Sequence, residues 1–404
     1  MTQSNVMAKP MMSSYFSSPA IALSNAHVLV VDDDVENYHI LKALLKKTNI
    51  HNTSYAATME NAWEILEKNP PDMILLDIMM PDISGFDFCA KLKQMPAHAK
   101  IPVIFISALS GAEVRTKAFR LGGVDYLQKP YNLEETMTRI HTHLQNGLFR
   151  HALEKQAATL RHDLDLGAKV QQSLLPDDAT KRHMTEQHNC KIASAFIPSG
   201  ALAGDFWQLL PIDNDNFAIA LCDFSGHGVA SALETARFHS LIYELRFLWS
   251  YPVPFIQALN ARMHQMLPPE TFATFNYAVI NSKARTARII SAGGPSFMHV
   301  QGKHNIKYHH QPALPLSIAP EWQGKTSPIT LQFNDGDNLV FYSDALTELS
   351  LKDAHADPFS KENEKKLLAL QGNVDGVCHH IVQQFHNACA AARNDDLTLI
   401  CCGF

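Results

Sequence analysis

Two kinds of apolar pattern follow one another along the chain, and they change near residue 190. From His27, "HVLVV" is a short β-branched run that stops at Asp32-Asp33-Asp34, and "ENYHILKALLKK" then repeats apolar residues at helical spacing. A second apolar strand, "DMILLD", ends at Asp77, a third, "IPVIFIS", ends at Ser107, and a fourth precedes Lys129-Pro130. Helical stretches lie between them, and this alternation predicts a parallel sheet with crossover helices on both faces. Residues 132 to about 175 read as one long helical region that Pro176 ends. Leu133, Met137, Ile140 and Leu144 step by four, three and four, and Leu153, Ala157, Leu160 and Leu164 do the same, as do Gly167, Gln171 and Leu174 with weaker residues, with a slip of phase around Gly147. Such spacing fits a coiled-coil seam or a helix packed on its own domain. Beyond about 190, the strands "FAIALCDF", "FNYAVINS", "ARTARIISAGG" and "NLVFYSD" are separated by Gly, Asn, Asp and Pro turns. Helical patterns occur near 230–247, 252–266 and 360–393, so this part predicts mostly antiparallel strands with helices packed on them.

Composition sharpens this picture in four places. A length of 404 residues implies two or three domains. With 34 basic against 40 acidic residues, the net charge of -6 argues against a nucleic-acid binder held by a basic face. No run of 18 apolar residues exists, so neither a transmembrane helix nor a membrane partner is expected. Seven scattered cysteines without zinc spacing, and no secretion signal, fit a cytoplasmic location. Residues 1–25, rich in Met, Ser and Ala, read as a disordered tail.

In an open parallel sheet, ligands bind at the carboxyl ends of the strands, here Asp32, Asp33, Asp77, Ser107 and Lys129. Two carboxylates about 4 Å apart repel by roughly 4 kcal/mol at an effective dielectric of about 20. Three of them need a cation, and a carboxylate-and-water site suits Mg²⁺. Any one aspartate alone is more simply a turn residue or a helix cap; the joint arrangement carries the reading. On "LVVDDD", "LLDIMMPDISGFD", "FISA" and "YLQKP", residues 27–145 resemble the receiver domain of bacterial two-component response regulators. That resemblance implies an α/β, doubly wound five-stranded parallel sheet phosphorylated by a sensor histidine kinase. It makes Asp77 the phospho-acceptor and Asp32 and Asp33 the acidic pair, with Asp33 a direct Mg²⁺ ligand and the main-chain carbonyl of Met79 another. Ser107 is then the switch hydroxyl, Tyr126 the switch aromatic, and Lys129 the lysine before a cis Pro130.

Further aspartates stand at strand ends or beside glycines in "AGDFW" (Asp205), "CDFSGHG" (Asp223), "FYSDALTE" (Asp344) and "NDDLTLI" (Asp395, Asp396). Glycines 204, 226 and 228 allow tight turns. An all-carboxylate cluster favours Mg²⁺ or Mn²⁺ over Zn²⁺. Two such ions about 3.5–4 Å apart can activate water for attack on phosphorus. His227 is open between an acid-base group and a turn histidine, and His309-His310 and His379-His380 are expected on the solvated surface. With "LLP" at 174–176, "TFATF", "SAGGP" and "GDNLVFYSDALTE", the stretch from about 165 to 404 resembles metal-dependent type 2C protein phosphatases of the SpoIIE/RsbU branch. The resemblance implies an α+β fold, a β-sandwich flanked by helices, holding two Mn²⁺ or Mg²⁺. Asp223 would bridge both ions, Phe224 would offer its carbonyl, Asp344 and Asp395 would complete one shell, and Asp205 would serve the second ion. Departures from the branch are Gly294 in "AGGP" where histidine is usual, Ala345 where glycine is usual, Trp207 for tyrosine, and Gln208 for aspartate.

The implied organisation is a tail (1–25), a receiver (26–146), a helical linker with a possible coiled coil (147–185) and a phosphatase domain (186–404). Its implied function is receiver-controlled hydrolysis of phosphoserine or phosphothreonine on a STAS-type anti-sigma-factor antagonist, by a homodimer without a nucleic-acid partner. The alternative is a catalytically weak or inactive phosphatase-fold adaptor that binds a sigma factor or its regulators.

Overall fold

The computed structural model describes residues 23–81, 83–109, 111–226, 228–302, 305–352, 359–370, 372–388 and 395–404. The chain divides into two compact units, Met1–Leu160 and Arg161–Phe404. Most of the expected tail lies outside the described residues, and Leu23–Asn25 form a short 3₁₀ turn.

The first unit runs β1 (His27–Val31), α1 (Val35–Lys47), β2 (Asn52–Ala56), α2 (Met59–Lys68), β3 (Met73–Asp77), α3 (Gly85–Gln94), β4 (Val103–Ser107), α4 (Ala112–Arg120), β5 (Asp125–Gln128) and the start of α5 (Leu133–Ser173), whose residues from Arg161 on belong to the second unit. The strands form one parallel sheet in the order β2-β1-β3-β4-β5, a doubly wound fold. Strands β1, β3 and β4 are buried throughout, as apolar runs covered on both faces must be. Side chains cap the helices where polar residues precede them: Asp34 accepts from the Glu36 N–H, Thr58 from Asn61 and Ser84 from Phe86. Strand β2, "NTSYA", is an edge strand whose polar, half-exposed residues hid it from the apolar pattern.

The two halves of helix α5 differ, and the first packs on its own domain. Ile140 and Leu144 are buried in the core beneath β1, β3 and β4. After Gly147 the phase changes, and Phe149, Leu153 and Leu160 are about half exposed, at 51%, 49% and 60%.

The second unit continues with α6 (Asp178–His188), β6 (Lys191–Ile197), β7 (Asp205–Pro211), β8 (Asn216–Phe224), α7 (Val229–Glu244), α8 (Pro252–Met266), β9 (Ala273–Asn281), β10 (Thr286–Ala292), β11 (Phe297–Gln301), β12 (Asn305–His309), β13 (Ile329–Gln332), β14 (Asn338–Tyr342), α9 (Ala345–Lys352), α10 (Lys361–Ala369), α11 (Val374–Ala388) and β15 (Leu397–Gly403). Two antiparallel sheets, β13-β10-β9-β8-β7 and β12-β11-β14-β15-β6, face one another. Period-two alternation sets the layers. On β7, Trp207 and Leu209 enter the core between the sheets, while Phe206 and Leu210 pack outward under α7 and α8. On β15, Cys402 faces the inner core and Cys401 the layer under α11, so the adjacent cysteines lie on opposite faces.

Two details differ from the sequence reading. The helical pattern at 360–393 is two helices, and Gly372 between them has φ +73°, which ends a helix rather than continuing it. The long helix ends before Pro176, as read, but a further helix that the sequence reading did not place, α6, follows it, with Asp177 accepting from the Thr180 N–H at 2.7 Å.

Gly85 packs against the end of β3: a Cβ there would stand 2.1 Å from the Asp77 carbonyl oxygen. Gly85→Ala is therefore expected to destabilise the first unit by about 1–3 kcal/mol, read as a lower midpoint of chemical unfolding; an unchanged midpoint would contradict this packing.

Candidate metal centres

Three carboxylates stand at the ends of β1 and β3. Ligand oxygens of Asp32, Asp33 and Asp77 lie within 4.8 Å of one another, with Asp32 and Asp77 buried and Asp33 exposed. Lys129 binds across them, its Nζ donating to Asp32 Oδ2 at 2.9 Å and to Asp77 Oδ2 at 2.5 Å. Burial raises the Asp77 carboxyl above the usual carboxylate range, although Lys129 and the Met79 N–H, at 3.0 Å, oppose this. Burial alone would lower the Lys129 ammonium, but its bonds to Asp77 and Asp32 outweigh that and raise it. Asp32 Oδ1 is also fixed by the Asp34 N–H and the Asn37 amide, both at 3.0 Å. Ser107 is fully buried, its hydroxyl accepting from the Leu109 N–H at 3.1 Å. Tyr126 is buried with its hydroxyl donating to the Leu109 carbonyl, and the Lys129–Pro130 bond is cis. The set is all-oxygen, with Asp33 open to solvent, and this fits a hydrated Mg²⁺.

The second group is built at one end of the sandwich, from both sheets. Asp205 opens β7 and lies opposite Asp223 near the end of β8. Asp344 follows β14 and Asp395 precedes β15, which is paired with β14. Two glycine-containing turns meet closely here. The Phe224 N–H donates to the Gly204 carbonyl at 3.2 Å, and a Cβ on Gly204 would stand 2.9 Å from the Gly226 carbonyl oxygen. Gly226 and Gly228 have φ +92° and +90°, which a side chain would strain.

Burial and like charges act together at this site. Burial, then Asp344 and Asp395, push the Asp223 carboxyl up to about 8. Burial and then Asp223 hold Asp205 well above the usual range, and burial, Asp395 and Glu348 raise Asp344. Asp205 Oδ2 is buried with no hydrogen-bond partner. An orphaned buried carboxylate oxygen facing further carboxylates fits a divalent cation such as Mg²⁺ or Mn²⁺.

Sequence reasoning missed Glu348. It lies one turn along α9 from Asp344, and ligand oxygens of Asp344, Glu348 and Asp395 fall within 4.8 Å of one another. The signal was the i, i+4 spacing in "DALTE", which stacks both carboxylates on one helix face. Asp396 has a different duty from its neighbour: Oδ1 accepts from the Ser199 N–H and hydroxyl at 2.6 and 2.8 Å, and Oδ2 from the Gly204 N–H at 2.7 Å.

The departures find physical reasons. A Cβ on Gly294 would stand 2.8 Å from the Asn276 side chain, so asparagine fills the space a larger residue at 294 would need. Ala345 is the first residue of α9 and is not among the described residues with positive φ, so no glycine is required there. His227 lies outside the described residues. His310 and His379 are exposed as expected, but His309 and His380 are half-buried, the former stacked on Phe297.

Comparison with known families agrees with this geometry. Residues 28–141 match the response regulator receiver domain and residues 213–404 the family of stage II sporulation protein E (SpoIIE). Asp205 lies ahead of the second match, and strand pairing brings it to Asp223. Response regulator PleD of Caulobacter vibrioides is 40% identical over 106 residues, 26% of this chain and 23% of that protein. Transcriptional regulatory protein YvrH of Bacillus subtilis is 33% identical over 123 residues, 30% of this chain and 51% of that protein. The chain thus spans about a quarter and a half of these relatives' lengths. The SiaA-PP2C domain of Pseudomonas aeruginosa superposes with a TM-score of 0.51 at 15% identity, covering 62% of this chain and 98% of that domain; this likeness shows the fold. The chain carries a receiver domain followed by a SpoIIE domain of type 2C phosphatase fold.

A carboxyl whose pKa is raised on folding stabilises the fold fully below its unfolded value, and that stability is lost as pH rises through the folded value. For Asp223 the window runs from about 4 to about 8. Cation-free protein is expected to unfold at lower temperature at about pH 8 than at about pH 6, and millimolar Mn²⁺ is expected to remove most of the difference. Melting curves in EDTA and in Mn²⁺ test this; identical curves in the two would contradict it.

Proposed function

We propose that this chain is a response regulator whose receiver, phosphorylated on Asp77 by a sensor histidine kinase, controls a metal-dependent serine/threonine protein phosphatase. The observation that carries the reading is the meeting of Asp205, Asp223, Asp344 and Asp395 at one end of a type 2C phosphatase sandwich. Asp223 and Asp205, with Asp344, Asp395 and the Phe224 carbonyl, would hold two Mn²⁺ or Mg²⁺. Glu348 adds a further carboxylate beside Asp344. Such ions, when bound, neutralise phosphoryl oxygens and lower the pKa of water. The protein's own part is to hold four or five carboxylates on two rigid sheets at spacings they would not adopt unaided. The substrate we propose is a phosphoserine or phosphothreonine on a STAS-type anti-sigma-factor antagonist.

In the receiver, the Asp77 carboxylate attacks the phosphoryl group of a phosphohistidine, and the imidazole leaves. Asp32, Asp33, Asp77 and the Met79 carbonyl would hold Mg²⁺. Lys129, already within 2.9 Å of two carboxylates, balances charge on the phosphoryl oxygens. The new dianion offers an acceptor to Ser107, drawing its loop inward; Tyr126, bonded to Leu109 on that loop, moves with it. The exposed Phe149, Leu153 and Leu160 on α5 support a homodimer that pairs through this helix.

In a Mn²⁺-dependent assay with a phosphorylated STAS protein, Asp223→Ala and Asp344→Ala are each expected to lower kcat at least about a hundredfold. Absent hydrolysis by the parent protein, with failure to bind two metal ions by calorimetry, would favour a sigma-factor adaptor instead. Asp77→Asn is expected to keep basal hydrolysis and to lose its response to beryllofluoride. An equal response in the variant would remove Asp77 from its role.

A further inference from the structure

The last turn of α5 carries Gln171, on the helical stripe of Gly167 and Leu174. Residues 161–173 are mostly exposed, yet Gln171 is buried, at 5% exposure. A buried primary amide is tolerated only when its donors and acceptor are satisfied. Gln171 satisfies them chiefly on one residue: its Oε1 accepts from the Ala203 N–H at 3.0 Å and its Nε2 donates to the Ala203 carbonyl at 2.7 Å. The same nitrogen donates to Thr235 Oγ1 at 3.2 Å. Both backbone groups of Ala203 are thus held by one side chain, as a neighbouring strand would hold them.

Ala203 stands two residues before Asp205. The next residue, Gly204, is held from the other side by Asp396 Oδ2 at 2.7 Å, and Asp396 Oδ1 holds Ser199. The segment 199–204 is therefore fixed at two points, by an amide from α5 and by a carboxylate at the start of β15. Thr235 belongs to α7, the helix that follows Asp223 and its glycine turn. A second glutamine ties the same helix end: Gln208 Nε2, on β7 three residues after Asp205, donates to the Leu174 carbonyl at 2.6 Å. That residue is one of the departures from the branch pattern, and its amide has a use here that an aspartate could not supply, because an ionised carboxylate donates no hydrogen bond.

We propose that Gln171 is a positioning residue for Asp205: it fixes the backbone leading into β7, where Asp205 stands opposite Asp223, and it makes cation binding depend on the setting of the last turn of α5. The inference rests on the metal-phosphatase reading above and deepens it by naming where control enters the site. Cation ligands must be held to within about 0.5 Å, and residues behind a ligand typically alter affinity about 10–100-fold when lost. A rotation of the last helical turn withdraws the amide from Ala203 and releases one of the two points that hold the Asp205 approach.

The test compares the full-length protein with Gln171→Leu, which keeps the volume and removes the hydrogen bonds, and with Val170→Ala on the exposed face as control. Amide hydrogen exchange is measured at Ala203 and Gly204 without cation. Hydrolysis of p-nitrophenyl phosphate is measured against Mn²⁺ concentration. Gln171→Leu is expected to speed exchange at both amides, and to raise the Mn²⁺ needed for half-maximal turnover, each by about tenfold or more. KM for the phosphate ester at saturating Mn²⁺ stays within about twofold and Val170→Ala changes nothing. Exchange and half-saturation both within about twofold of the parent would overturn the proposal. If Gln171→Leu does not fold, Gln171→Met is judged by the same criteria. A parent protein that hydrolyses nothing with Mn²⁺ sinks the phosphatase reading, while the exchange measurement still decides whether Gln171 holds Ala203.

Discussion

Repulsion between carboxylates is the constraint on which both sites are built. Side chains that would separate in water are held together because each is anchored at a strand end, and the sheets behind them do not give way. The two sites resolve the repulsion differently. In the receiver, Lys129 lies against Asp32 and Asp77 and leaves Asp33 facing solvent. In the phosphatase fold, the largest influences on Asp205 and Asp223 are burial and other carboxylates, which raise both carboxyls above the usual carboxylate range. One site is thus partly neutralised by the chain itself, and the other is left for something from outside to neutralise.

This difference suits two directions of phosphate chemistry. On the proposed reading the receiver accepts a phosphoryl group on Asp77, and the ammonium beside it would serve both the free and the modified side chain. A phosphatase must pass the phosphoryl group to water, and its carboxylates serve best as a frame that never reacts. The frame is crossed by bonds from distant parts of the chain: Asp396 to the loop before β7, Ser343 to Thr398 and the Asp396 carbonyl, and Gln171 to Ala203. All of these bonds limit where Asp205, Asp344 and Asp395 can stand.

Much of this was legible in the chain because strand ends and short motifs are local features. The apolar runs ending at Asp32, Asp77 and Ser107 announced both the parallel sheet and its site. The aspartates of "AGDFW", "CDFSGHG", "FYSDALTE" and "NDDLTLI" announced that acids stand at strand ends. What could not be read are features that depend on partners far along the chain. Strand β2 is polar because it lies at a sheet edge, and only pairing with β1 makes it a strand. The use of Asp396 for hydrogen bonds rather than as a site carboxylate depends on a loop almost two hundred residues earlier. Glu348 was visible as a spacing but needed the helix start at Ala345 to turn it toward Asp344. Gln171 shares a helical stripe with Gly167 and Leu174, but what its amide holds depends on Ala203, 32 residues further on.

The most direct test of the central claim is anomalous diffraction from crystals of the full-length chain soaked in Mn²⁺. The account predicts peaks within bonding distance of Asp223 that are shared with Asp205 and with Asp344 or Asp395, and a separate peak among Asp32, Asp33 and Asp77. A map with density at the receiver and none beside Asp223, at Mn²⁺ concentrations that fill the first site, would contradict it and leave the second unit a scaffold.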